Sequence, residues 1–148
     1  MRALGIDLGT KRVGIAISDS GGTVATPYEV LERSKDRAAD HRRIRDIVVE
    51  NEVEIVVVGL PLSLDGSTGP AAKRALAEAR TLQRAVPVTV ETYDERLSTV
   101  TAERSLRSMD LSAPERRRVV DKVAAAVILQ GWLDRNREDR HRSEEPSA

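Results

Sequence analysis

Residues 54–61, EIVVVGLP, form a nearly unbroken β-branched run closed by glycine and proline. A strand with one wet face alternates polar and apolar residues, so a continuous run reads as a strand buried on both faces. It lies between two stretches of helical period. From Ser34 to Glu52, Ala38, Ile44, Ile47 and Val48 fall near one face, with charged residues on the other. After the loop LSLDGSTGP, Ala72, Ala75, Leu76, Ala79 and Leu82 recur at helical spacing, and Pro87 separates them from another β-branched run, VTVET (88–92).

The flanks complete the order. ALGIDL (3–8) and VGIAI (13–17), joined through Gly9-Thr10-Lys11-Arg12, suggest a hairpin, and TVAT (23–26) is a third short strand stopping at Pro27. DERLSTVTAERSLRSM reads as a loop running into a helix. After the polar break DLSAPERRR, a final helix is expected from about Val119 to Leu133. The expected fold is α/β: a five-stranded mixed sheet, three antiparallel strands then alternating helices and strands, flanked by helices. One domain is expected over 1–135, with a charged tail, 136–148, lacking structure.

Composition narrows the function classes. Lys+Arg and Asp+Glu are both 24, so net charge favours no class of partner. Cysteine is absent, which excludes disulfides and thiolate metal sites. MRALGIDLGT does not make a signal peptide and no apolar run reaches the length of a membrane span, which points to a cytoplasmic protein without membrane contact. Aromatic residues are 2%, namely Tyr28, Tyr93 and Trp132, so base stacking is not available on any scale. A nucleic-acid partner would be bound through backbone charge and shape.

Most acids fit solvated helix faces; Asp36, Asp40, Asp46, Glu50, Glu78 and Glu103 are read that way, and neither His41 nor His141 as a ligand. Three places differ. Asp7 sits between Gly5 and Gly9 on one face of a strand, where the glycines leave room for a ligand or another backbone. Asp94-Glu95-Arg96 follows a strand, where open α/β sheets bind ligands, although acids there also suit a helix start capped by Ser98 or Thr99. Asp121 shares a helix side with Ala124, Ala125, Ile128 and Trp132 on a helix apolar nearly all round, where an ionised group needs a cation or metal partner; pairing with Arg117 is the plain alternative. Carboxylates from three parts of the chain suit a hard cation such as Mg²⁺.

GIDLGTKRVGIAISD, VVVGLPLSLDGSTGP, DERLST and VDKVAAAVILQGWL occur in this order. Together they resemble the YqgF/RuvX family of the RNase H-like superfamily, over about residues 1–135. The resemblance implies a metal-dependent nuclease, a phosphodiester hydrolase of 5′-end maturation of pre-16S rRNA in ribosome biogenesis, or alternatively a Holliday junction resolvase acting on branched DNA. By position, Asp7, Glu95 and Asp121 match the family's acidic residues and would hold Mg²⁺ or Mn²⁺, with two ions expected; Asp94 is the neighbour that would exchange roles with Glu95. Lys11, Arg12 and Arg96 suit a substrate phosphate, as does the loop of Gly59, Pro61, Asp65, Gly66 and Ser67. Arg116, Arg117 and Arg118 add a basic cluster next to Asp121. Precursor rRNA or branched DNA is the expected partner; cutting a junction symmetrically would require a homodimer. Sugar kinase, actin and DnaK-type ATPases share a GIDLGT strand and turn, but need a second subdomain that 148 residues do not supply. A non-catalytic RNA- or ribosome-binding module on the same scaffold is the other rival.

Overall fold

The chain builds β1 (Ala3–Leu8), β2 (Arg12–Ser18), β3 (Ala25–Glu32), α1 (Arg37–Glu50), β4 (Ile55–Leu60), α2 (Pro70–Ala85), β5 (Thr89–Asp94), a 3₁₀ turn (Glu95–Leu97) and α3 (Pro114–Glu144). This is a computed structural model describing the backbone of residues 1–97 and 114–144, and the side chains of 1–97 and 122–140. The expected loop and helix after Leu97, with Ser98, Thr99 and Glu103, lie outside the described residues, as do the side chains of Arg116, Arg117, Arg118, Asp121 and His141.

The sheet order is β3-β2-β1-β4-β5. β1 pairs antiparallel with β2 and parallel with β4, so it is the central strand. β4 pairs parallel with β5. The run 55–60 is buried on both faces as its composition requires, with Val56 and Val58 on one side and Ile55 and Val57 on the other. Leu4, Ile6, Val56 and Val58 meet α1 and α2 through Ile44, Ile47, Val48, Ala79 and Leu82. Ala3, Ile55, Val57 and Tyr93 meet α3 through Ala124, Ala125, Ile128, Leu129 and Leu133.

Three elements depart from the sequence reading. β3 passes through Pro27 to Glu32 instead of stopping at the proline. It is an edge strand, where a missing N–H costs no ladder bond, and its register with β2 shifts between Ile15 and Ala16, the residue opposite Pro27. α1 begins at Arg37, because the Asp36 carboxylate accepts from the amides of Ala38 and Ala39 and caps it; Ala38 is exposed. α3 runs on to Glu144, through much of the segment expected to lack structure. Residues 134–144 contain no glycine or proline to stop a helix, and Arg137 pairs with Asp134 one turn back. On that helix Trp132 is half-buried, giving its indole N–H to Glu91 at 3.0 Å, and Val123 is exposed.

The outer edge of β5 is met by a side chain: the amide of Val90 donates to Gln83 Oε1 and Gln83 Nε2 donates to the carbonyl of Val88, each at 2.8 Å. Among the described residues no helix is long and apolar enough to cross a membrane.

α3 approaches the sheet at backbone distance. A Cβ on Gly5 would stand 2.6 Å from Leu129 Cβ and 3.0 Å from the carbonyl oxygen of Ala125, and one on Gly131 would stand 2.7 Å from the Tyr93 hydroxyl. Gly5→Ala is expected to lower stability by about 1–3 kcal/mol through overpacking. Urea denaturation measures it, and an unchanged midpoint would contradict this packing.

Candidate active site

Side chains alternate along β1, so Ala3, Gly5 and Asp7 face α3. Ile6 pairs with Val58, the last pair of that register, and Asp7 and Gly59 are the next residues on the two strands. β5 ends at Asp94, and the 3₁₀ turn carries Glu95 back over the α3 face. A Cβ on Gly59 would lie 2.6 Å from Glu95 Oε1 and 2.6 Å from Ile128 Cδ1. Gly59 therefore vacates the space that the Glu95 carboxylate occupies, on the strand beside Asp7. Asp7 is 5% exposed and Glu95 2%. Two carboxylates thus lie buried at the carboxyl end of the parallel part of the sheet, Asp7 on β1 and Glu95 just after β5 with β4 between them, the usual ligand end of an open α/β sheet.

The structure separates Glu95 from its neighbour. Asp94 receives the Arg96 guanidinium at 2.7–3.1 Å and the Arg96 amide at 2.9 Å, and these bonds hold its carboxyl below the usual range against a smaller opposing effect of burial. Arg96 also reaches the carbonyl of Leu64 at 3.4 Å, and its guanidinium stands over Gly66, where φ is +87°. It links β5 to the 63–67 loop. Within that loop Ser67 donates its hydroxyl and amide to Asp65 at 2.7 and 2.9 Å, which lowers the Asp65 pKa. Ser63 N–H and Gly66 N–H close the loop on the carbonyls of Ser67 and Ser63.

Lys11 is exposed and Arg12 half-buried, on the turn that follows Asp7. The Gly9 amide donates to the Arg12 carbonyl at 2.9 Å and closes that turn. Among the described residues no three His, Cys, Asp or Glu gather to hold a metal ion. Asp121 is on α3, seven residues before Ile128, and its side chain is outside the described set.

A family model described as RuvX, Holliday junction resolvase, matches residues 1–135. A Rhodococcus opacus protein named as a candidate pre-16S rRNA nuclease is 53% identical over 137 residues, spanning 90% of this chain and 77% of that one. A Halalkalibacterium halodurans protein of the same name is 48% identical over 136 residues, spanning 91% and 97%. The chain belongs to the RuvX family. Among solved structures, T. thermophilus RuvC in complex with a Holliday junction substrate matches with a TM-score of 0.56 at 18% identity, covering 93% of this chain and 96% of that one. That likeness shows the RNase H-like fold.

The RuvX chain also holds a polar cluster that its sequence does not advertise. Glu78 and Asp40, read as solvated acids, and His41, read as lying on a charged face, are all buried. Glu78 accepts both guanidinium nitrogens of Arg33 at 2.8 and 2.9 Å, His41 Nε2 lies at 2.9 Å, and Arg37 at 3.4 Å. Asp40 accepts the Ser34 hydroxyl at 2.7 Å and the Ser34 amide. Spacing was the available signal: Glu78 is three residues past Ala75 and four before Leu82, and His41 three before Ile44, all on the buried stripes.

Burial opposes ionisation of Glu78, but hydrogen bonds from Arg33 and His41 and the nearby charges of Arg33 and Arg37 outweigh it, leaving its pKa below the ordinary 4.5. The folded carboxyl is the stronger acid, so its contribution is fully present above pH 4.5 and lost as pH falls through the lowered value. Urea midpoints followed from pH 7 to pH 3 should fall less steeply for Glu78→Gln than for the parent, from a lower value at pH 7. Parallel curves would show that Glu78 carries no such linkage.

Proposed function

We propose that this protein is a nuclease that hydrolyses phosphodiesters of precursor 16S rRNA in the cytoplasm, using Asp7, Glu95 and Asp121 as ligands for Mg²⁺ or Mn²⁺. The observation that carries the reading is the burial of two carboxylates at one end of the sheet, Asp7 on β1 and Glu95 packed into the glycine gap at Gly59 on the neighbouring β4. Family membership and relatives named for pre-16S rRNA support it. The donor set fits a hard cation, since both groups offer only carboxylate oxygens, cysteine is absent, and His41 is engaged with Glu78 on the opposite side of the sheet. Asp121, on α3 seven residues before Ile128, is taken as the third ligand. Divalent ions there would supply Lewis acidity for a water attacking phosphorus and for the leaving oxygen.

The chain's own residues do the rest. Glycine at 59 admits Glu95, and pairing with Gly14 of β2 fixes the backbone of Asp7. Lys11 and Arg12 meet a substrate phosphate from the adjoining turn. Arg96, tied to Asp94, orders the 63–67 loop, whose amides, with Asp65 and Ser67, border the strand ends. Scarce aromatics fit recognition by phosphate and shape.

A second reading is favoured by the family description and the RuvC fold: resolution of branched DNA, which requires a homodimer for paired cuts. Purified protein is tested on precursor 16S rRNA and on a four-way DNA junction, with Mg²⁺ or Mn²⁺. We expect cleavage of the rRNA that Asp7→Asn abolishes while circular dichroism stays unchanged. Full cleavage by that variant would remove the catalytic assignment, and cutting of the junction alone would favour the second reading. Intact rRNA maturation in cells carrying Asp7→Asn would favour a non-catalytic binding module. Gly59→Ala, which forces Glu95 aside, should lower kcat at least about tenfold, in keeping with the sensitivity of catalysis to small displacements.

A further inference from the structure

The turn after Asp7 does not hold its shape alone. Besides the Gly9–Arg12 bond, two of its carbonyls are taken by one residue: Arg33 Nε donates to the Gly9 carbonyl at 2.7 Å, and the Arg33 amide donates to the Lys11 carbonyl at 2.9 Å. The other end of the same guanidinium forks onto Glu78, at 2.8 and 2.9 Å. Glu78 comes from α2 and is itself held by His41 from α1. The side chains of Arg33 and Glu78 are 9% and 5% exposed, so the chain of bonds is nearly closed to water. It starts on two helices of one layer and ends on the turn that carries Lys11 and Arg12.

We infer that Arg33 is a positioning residue for substrate binding: aimed by Glu78 and His41, it sets the Gly9–Arg12 turn so that Lys11 and Arg12 meet a nucleic-acid phosphate. This rests on the reading of Lys11 and Arg12 as substrate contacts. A buried ion pair is a poor stabiliser compared with apolar packing, so stability alone does not account for the arrangement. Its geometry does serve the turn. Only a planar fork can give two parallel bonds to a carboxylate and a third, from Nε, to a carbonyl on the other side. Lysine in its place would keep the charge opposite Glu78 but not reach both.

Arg33→Lys is the test, made in the full chain and again in a Lys11→Ala/Arg12→Ala background. The first readout, hydrogen exchange of the peptide covering residues 8–12, needs no substrate. Exchange there should speed up in Arg33→Lys while β4 and β5 stay at parent rates. The second is steady-state cleavage of precursor 16S rRNA, where KM should rise about tenfold with kcat within about twofold, a size usual for coupled residues of one network. In the Lys11→Ala/Arg12→Ala background the KM effect of Arg33→Lys should vanish. An equal KM change in both backgrounds would reduce Arg33 to general scaffolding, and unchanged turn exchange would overturn the brace itself. Should the parent protein cleave neither rRNA nor the junction, the nuclease reading fails while the exchange result still decides the brace.

Discussion

Everything on the α3 side of the sheet depends on how closely a helix may lie on a strand. At Gly5, Gly59 and Gly131 the missing Cβ atoms set that distance. With side chains there, α3 would ride higher, and Ile128 and Glu95 would compete with a methyl group for the same volume. The glycine at 59 therefore makes room both for α3 and for the Glu95 carboxylate. It lets one carboxylate be buried against β4, next to the central strand that carries Asp7. Loop residues could supply the same groups, but the backbone of Asp7 is held in the sheet by its pairing with Gly14.

The opposite face is organised by charge as well as apolar packing. Ile44, Ile47, Ala79 and Leu82 fill the layer between the sheet and the two helices, while Glu78 ties α1, α2 and the end of β3 together where the layer meets the site turn. The two faces so meet at one place, the end of β1. One carries the buried acids Asp7 and Glu95, the other the Arg33 hydrogen bonds to the carbonyls of Gly9 and Lys11.

Much of this was legible in the residue pattern. EIVVVGLP announced a strand covered on both sides, and the order of runs around it specified a mixed sheet. Asp7 stood out because an acid between glycines in an apolar strand has few plain explanations. Asp94 and Glu95 could not be told apart, since adjacent acids differ only in which way the chain turns after the strand; the 3₁₀ turn buries one and Arg96 takes the other. Glu78, Asp40 and His41 were hidden for a related reason. Helical charge normally marks the wet face, and against that only the place of Glu78 and His41 on the apolar stripes spoke, while the arginine that pairs Glu78 lies 45 residues away. Pro27 misled because proline ends strands inside a sheet but is tolerated on a rim.

The two rims have a consequence for the molecule among its neighbours. Pro27 on one outer strand and Gln83 laid along the other each interrupt a row of backbone groups that a foreign strand would otherwise read. The width of the sheet is in this way written into the chain itself. At high local concentration, or while a chain is still emerging, that guards against strand-to-strand clumping at those positions.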